Sequence, residues 1–109
     1  MMTSYIALDL ETTGLESKTE KITEAAALKV IDGTVRERFV TLINPGRPIS
    51  EKITQLTGIT DEMVRTAPLM ENVIGELLAF CEGLPLLGHN ILFDYRFFKA
   101  GSSKQPVGM

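Results

Sequence analysis

The stretch Tyr5-Ile6-Ala7-Leu8-Asp9-Leu10-Glu11-Thr12-Thr13-Gly14 constrains the fold more than any other. An apolar run meets two acids and then a turn. In a strand, successive side chains point to opposite faces. Ile6, Leu8 and Leu10 therefore share one face, and Ala7, Asp9 and Glu11 share the other. One face must be buried while the other carries two carboxylates, roughly 7 Å apart at Cα. Carboxylates drawn to ~4 Å repel by about 4 kcal/mol at an effective dielectric of ~20. Water at a solvated strand end relieves that repulsion. So does a hard divalent cation, which prefers oxygen ligands. Taken alone, Asp-x-Glu admits both readings.

A chain of 109 residues is enough for one domain. Its net charge of −3 rules out the broad basic footprint of a duplex binder. Nucleic acid remains open, because a site that meets phosphates through cations needs only local positive charge. Cys81 is the single cysteine, so no internal disulfide can form, which fits a reducing, cytoplasmic setting. The start Met1-Met2-Thr3-Ser4 has no basic residues, and Asp9 interrupts the apolar run that follows. Neither a signal peptide nor a membrane span is expected.

Residues 5–11 read as a first strand, and Leu15 to Lys21 as a polar loop. Ile22 to Ile31 reads as a second strand. Its Glu24-Ala25-Ala26-Ala27-Leu28 core would suit a helix, but Asp32-Gly33 directly after it is a hairpin turn. Val35 to Ile43 alternates as a third strand, completing an antiparallel meander. Asn44 to Pro48 is a loop. Ser50 can cap a short helix to about Leu56 that Gly58 ends, and Thr60 can cap another through Val64. Pro68 fits the first turn of a longer helix. Met70, Val73, Ile74, Leu77, Leu78 and Cys81 repeat at helical spacing until Gly83. Leu84 to Leu87 reads as a short buried strand and Ile91 to Lys99 as a helix. Residues 100–109 lack periodicity and read as disordered.

A second group of polar residues, Gly88-His89-Asn90-Ile91-Leu92-Phe93-Asp94, follows that short strand. Asn90 can cap the helix, which puts Asp94 one turn in. If this strand lies beside the first, Asp94 joins Asp9 and Glu11. Three carboxylates from two segments favour the cation reading.

Asp9-Leu10-Glu11-Thr12-Thr13-Gly14, Ile53-Thr54-x-Leu56-Thr57-Gly58-Ile59-Thr60 and Gly88-His89-Asn90-x-x-Phe93-Asp94 resemble, in order, the motifs of the DEDD 3′–5′ exonucleases. The similarity is to the proofreading type of the DNA polymerase III epsilon subunit and the PolC exonuclease domain. It runs from Ile6 to about Lys99. The resemblance implies an α/β, ribonuclease H-like mixed sheet flanked by helices: the three-strand antiparallel meander plus a parallel strand. It implies two Mg²⁺ or Mn²⁺ ions held by Asp9, Glu11 and Asp94, stabilising attacking and leaving oxygens of a phosphodiester. Thr12, Thr13, Leu56, Ile59, Asn90 and Phe98 would meet the 3′-terminal nucleotide. The implied partners are DNA with a single-stranded 3′ end and a DNA polymerase subunit.

One departure stands out. The family has a third motif that supplies a histidine base and a fourth aspartate. After Asp94 this sequence has no acid and no histidine, and His89 matches the second motif instead. Residues 1–99 are then the N-terminal part of an exonuclease domain, C-terminally incomplete, and residues 100–109 a disordered or frameshifted tail. The chain is expected to be hydrolytically silent or nearly so. The alternative is a non-catalytic remnant that binds nucleic-acid ends or a polymerase. Other polar residues have plainer readings: Cys81 as a core thiol, Arg36, Arg38 and Arg47 as solvated charges, and Asp61-Glu62 as first-turn acids.

Overall fold

The structure, a computed structural model, describes residues 3–14 and 20–88. Strands β1 (Tyr5–Thr12), β2 (Ile22–Ile31), β3 (Thr34–Leu42) and β4 (Leu86–Leu87) form one sheet in the order β3-β2-β1-β4. β1 pairs antiparallel with β2 and parallel with β4, and β2 pairs antiparallel with β3. The meander and the added parallel strand are thus those expected. β1 runs one residue further than residues 5–11, and β3 starts and ends one residue earlier than Val35–Ile43.

The turn between β2 and β3 explains why the alanine-rich segment is a strand. Asp32 and Gly33 both have positive φ, 50° and 80°. A two-residue turn of that kind matches the twist of paired strands. The Gly33 N–H donates to the Thr3 carbonyl at 2.7 Å, tying the hairpin to the start of β1.

Ile6, Leu8 and Leu10 are buried together with Ala25, Ala27, Ile43 and the inner stripe of helix α3 (Met70–Cys81). That stripe is Val73, Ile74, Leu77 and Cys81, while Met70 and Leu78 pack at its margin. Each large apolar side chain so buried is worth about 1.5–3 kcal/mol of transfer free energy. Two short helices, α1 (Glu51–Thr57) and α2 (Asp61–Val64), stand beside a smaller core of Ile49, Ile59 and Val64. Ser50 and Thr60 cap them as expected, accepting from the N–H groups of Ile53 and Met63.

Two local expectations are corrected. Pro68 is not in the first turn of α3, which is preceded by Leu69 as its cap. The Pro68 carbonyl accepts from Asn44 N–H at 2.8 Å and Leu69 bridges Asn44, so the chain is still extended there. The strand expected at Leu84–Leu87 is shorter and, among the described residues, last in the strand order. Only Leu86 and Leu87 pair with β1, and Leu87 is 43% exposed. Pro85 has no N–H to give a ladder, although its carbonyl accepts from Ile6 N–H at 2.8 Å.

Lys29 had no role in the sequence reading. It is only 4% exposed and sits on the core face of β2. Its ammonium pairs with Glu82, just past α3, and with Glu37 across the ladder at 3.5 Å, and lies 4.7 Å from the centroid of the Phe80 ring. The hydrogen bond to Glu82, helped by the charge of Glu37, holds it above the ordinary lysine range although burial acts against this. Beside it, burial pushes the Cys81 thiol up, so Cys81 is an unreactive core residue. Among the described residues no helix is long and apolar enough to cross a membrane.

Candidate active site

β1 delivers Asp9 and Glu11 to the sheet face opposite α3, as alternation requires. Asp9 is exposed and Glu11 half-buried. Glu11 lies directly opposite Glu24 on β2. The register then shifts, with Thr12 opposite Ile22, so Thr23 is an extra residue on β2. Such bulges bend a strand and re-aim side chains. Burial first, then the charges of Asp9 and Glu24, raise the Glu11 carboxyl above its ordinary value. Among the described residues, neither Asp9 nor Glu11 has a lysine or arginine partner.

These carboxylates crowd one another without a counter-charge among the described residues, and their oxygens are the donors a hard divalent cation prefers. Among the described residues no group of three or more ligating side chains assembles. Asp94, the third expected ligand, lies outside the described residues, as do His89, Asn90, Phe93, Phe98 and the tail. The residues present therefore fit part of a cation site in donor chemistry.

The crowding has a testable cost. Glu24→Gln should stabilise the protein by about 0.2–1 kcal/mol at pH 7, the size of one cross-strand like-charge pair. A carboxyl raised in the folded state destabilises fully above its raised value, and that penalty fades as pH falls through the raised value and is gone below the ordinary value of 4.5. The gain should thus shrink as pH falls towards ~4. Thermal melts of both proteins across this range check it; a gain that grows on acidification would contradict it.

Thr12 and Thr13 are buried, and their hydroxyls are engaged within the chain. The Thr12 hydroxyl donates to the Gly14 carbonyl at 2.6 Å. Thr13 donates its hydroxyl to Glu20 Oε1 at 2.7 Å and accepts there from Lys21 N–H at 3.0 Å. Arg47 is exposed, as expected, and its Nη1 also donates to the same Glu20 oxygen at 2.9 Å. The Thr13 hydrogen bond is the main cause of a lowered Glu20 carboxyl, and Arg47 adds to it against burial. Arg36 and Arg38 are exposed, as expected. Asp61 has a second task besides its first-turn place, accepting from Ile49 N–H at 2.8 Å.

Leu56 and Ile59 separate. Leu56 is 73% exposed, whereas Ile59 is 4% exposed and packs with Ile49 and Val64. Two threonines set this difference. The Thr54 hydroxyl donates to the Ile59 carbonyl at 2.8 Å, and Thr57 Oγ1 accepts from Ile59 N–H at 3.1 Å. Ile59 is thereby turned into the small core. Sequence reading missed Glu20, Arg47 and Glu24. Glu24 could have been found from its register opposite Glu11; nothing in the sequence ties Glu20 to Arg47.

Residues 6–105 match the model of a family described as exonuclease. The chain is 41% identical over 96 residues to the PolC-type DNA polymerase III of Thermotoga petrophila, and 41% identical over 100 residues to that of Caldanaerobacter subterraneus subsp. tengcongensis. These alignments cover 88% and 92% of this chain, which spans 7% of each relative's length. A solved structure of exonuclease X with 5′-overhanging duplex DNA is similar at a TM-score of 0.72 and 30% identity, over 94% of this chain and 54% of that one. Exonuclease I without ligand superposes at a TM-score of 0.81 and 17% identity, over 99% of this chain and 26% of that one, which shows a shared fold.

Proposed function

The chain belongs to the exonuclease family, and on that premise we propose that it is part of a metal-dependent 3′–5′ exonuclease of the polymerase III proofreading type. The substrate is DNA with a single-stranded 3′ end, met beside a polymerase in the cytoplasm. The observation that supports this most is the pair Asp9 and Glu11 on the open face of β1, without a basic partner among the described residues. With Asp94 they would hold two Mg²⁺ or Mn²⁺ ions. Such ions, when bound, stabilise charge on the attacking and leaving oxygens of the phosphodiester.

The other residues bind and orient. Thr12 and Thr13 shape the pocket through the turn they hold, exposed Leu56 gives apolar contact to the terminal nucleotide, and Ile59 supports the α1 turn from inside. Asn90 and Phe98 complete the pocket in this proposal. Residues 1–99 form its N-terminal part. End binding is the property to measure, because it reads the pocket without turnover.

Fluorescence anisotropy with single-stranded DNA tests this. In Mn²⁺, an oligonucleotide with a free 3′ hydroxyl should bind more tightly than one with a blocked 3′ end. Leu56→Ala should weaken that binding about five-fold, as expected for ~1 kcal/mol of lost apolar burial, while cation affinity persists. Equal binding of both oligonucleotides, with or without metal, would overturn the reading.

A further inference from the structure

Glu20 is a carboxylate outside the proposed cation site, yet it is built into the exit of the strand that carries that site. Its Oε1 accepts from the Thr13 hydroxyl at 2.7 Å and from Arg47 Nη1 at 2.9 Å. Thr13 is two residues beyond Glu11 and is clamped again by its N–H on the Lys21 carbonyl at 2.8 Å. The Thr13 hydroxyl thus acts as donor to Glu20 and acceptor from Lys21 at once. Gly14 closes the arrangement. A Cβ there would lie 2.8 Å from Glu20 Cγ and Cδ, so a larger residue would push this side chain from its present path. Three segments meet through one oxygen: the exit of β1, the entry to β2, and the loop after β3.

We propose that Glu20 is a positioning residue, whose hydrogen bonds to Thr13 and Arg47 fix the end of β1 and so the direction in which Glu11 meets a divalent cation. The proposal rests on Asp9 and Glu11 being the cation site. Glu11 lies at the register shift, where β1 leaves regular pairing with β2. Beyond that point pairing goes on one residue out of register, with Thr12 opposite Ile22 and the Thr13 N–H on the Lys21 carbonyl, and the Thr13–Glu20 hydrogen bond reinforces it. Arg47 keeps the Glu20 carboxylate neutralised and in place. Glu20 touches neither cation nor substrate, and it acts through backbone placement.

The test is Mn²⁺ titration by calorimetry, with a thermal melt of each protein as a control for folding. Glu20→Ala and Thr13→Val should each weaken Mn²⁺ binding about ten-fold or more, the size seen when residues that orient metal ligands are lost. The double variant should lose little more than either alone, because both break one link. Glu20→Gln keeps an oxygen for Thr13 and Arg47 and should restore affinity to within about three-fold of wild type. Variants that melt earlier but bind Mn²⁺ as wild type would overturn the positioning role and leave the cation site standing. Equal losses in Glu20→Gln and Glu20→Ala would overturn the hydrogen-bond account. Failure of the wild type to bind Mn²⁺ would overturn this inference together with the site it rests on.

Discussion

Leu77→Ala is expected to destabilise the protein by about 2–5 kcal/mol, the range for truncating a buried leucine in a packed core. Leu77 has 0% exposure and shares one apolar cluster with Ile6, Leu8 and Leu10. α3 is the helix that covers this face among the described residues, so a cavity under its middle turn has few neighbours to fill it. A domain of this size typically has ~5–15 kcal/mol in all, so one substitution removes a large share. Leu56→Ala is the matched control. Leu56 stands in solvent on α1, and its truncation should change stability by no more than about 0.5 kcal/mol. Urea unfolding of both variants reads the difference. A cost below ~1 kcal/mol for Leu77→Ala would mean that α3 does not pack on the face opposite Asp9 and Glu11.

The fold was largely legible because its signals are local and agree. Alternation in residues 5–11, the Asp32-Gly33 turn and the helical spacing from Val73 to Cys81 each point to one element. The turn mattered most, since it overrode the helix preference of Ala25-Ala26-Ala27. Errors arose where distant backbone decided the outcome. Pro68 stays extended because Asn44 pairs with that segment, and no local pattern announces this. β4 is short because Pro85, which has no N–H for the ladder, directly precedes it.

The site was legible in chemistry but less so in arrangement. Asp9 and Glu11 had to share a face once β1 was a strand, and they do. Their neighbour Glu24 follows from cross-strand register, which a sequence reveals only after the hairpin is assigned. The link from Thr13 through Glu20 to Arg47 joins residues far apart in the chain, and no periodicity marks it. Lys29 was hidden for a similar reason. A lysine within a strand reads as a surface charge until Glu37, Glu82 and Phe80 close around it. The distinction between Leu56 and Ile59 depended on two threonine hydroxyls that turn one side chain inward and leave the other in solvent.

The second large effect belongs to Asp9. It is the exposed carboxylate of the pair, one step along the same face of β1 from half-buried Glu11. Asp9→Asn keeps the size of the side chain and removes its charge, so the fold should persist. The amide should be a far poorer ligand for a hard cation. Loss of a direct ligand should exceed the ~10–100-fold typical of residues one step removed, so a fall of about 100-fold or more is expected. Cation binding to the folded state also raises the melting temperature, and that rise should vanish with the affinity. Calorimetric titration of wild type and Asp9→Asn with Mn²⁺ at neutral pH, each checked by a thermal melt, is the most direct measurement. The account predicts saturable binding by the wild type and almost none by Asp9→Asn at an unchanged metal-free melting temperature. Equal binding by the two proteins, or none by the wild type, would contradict it.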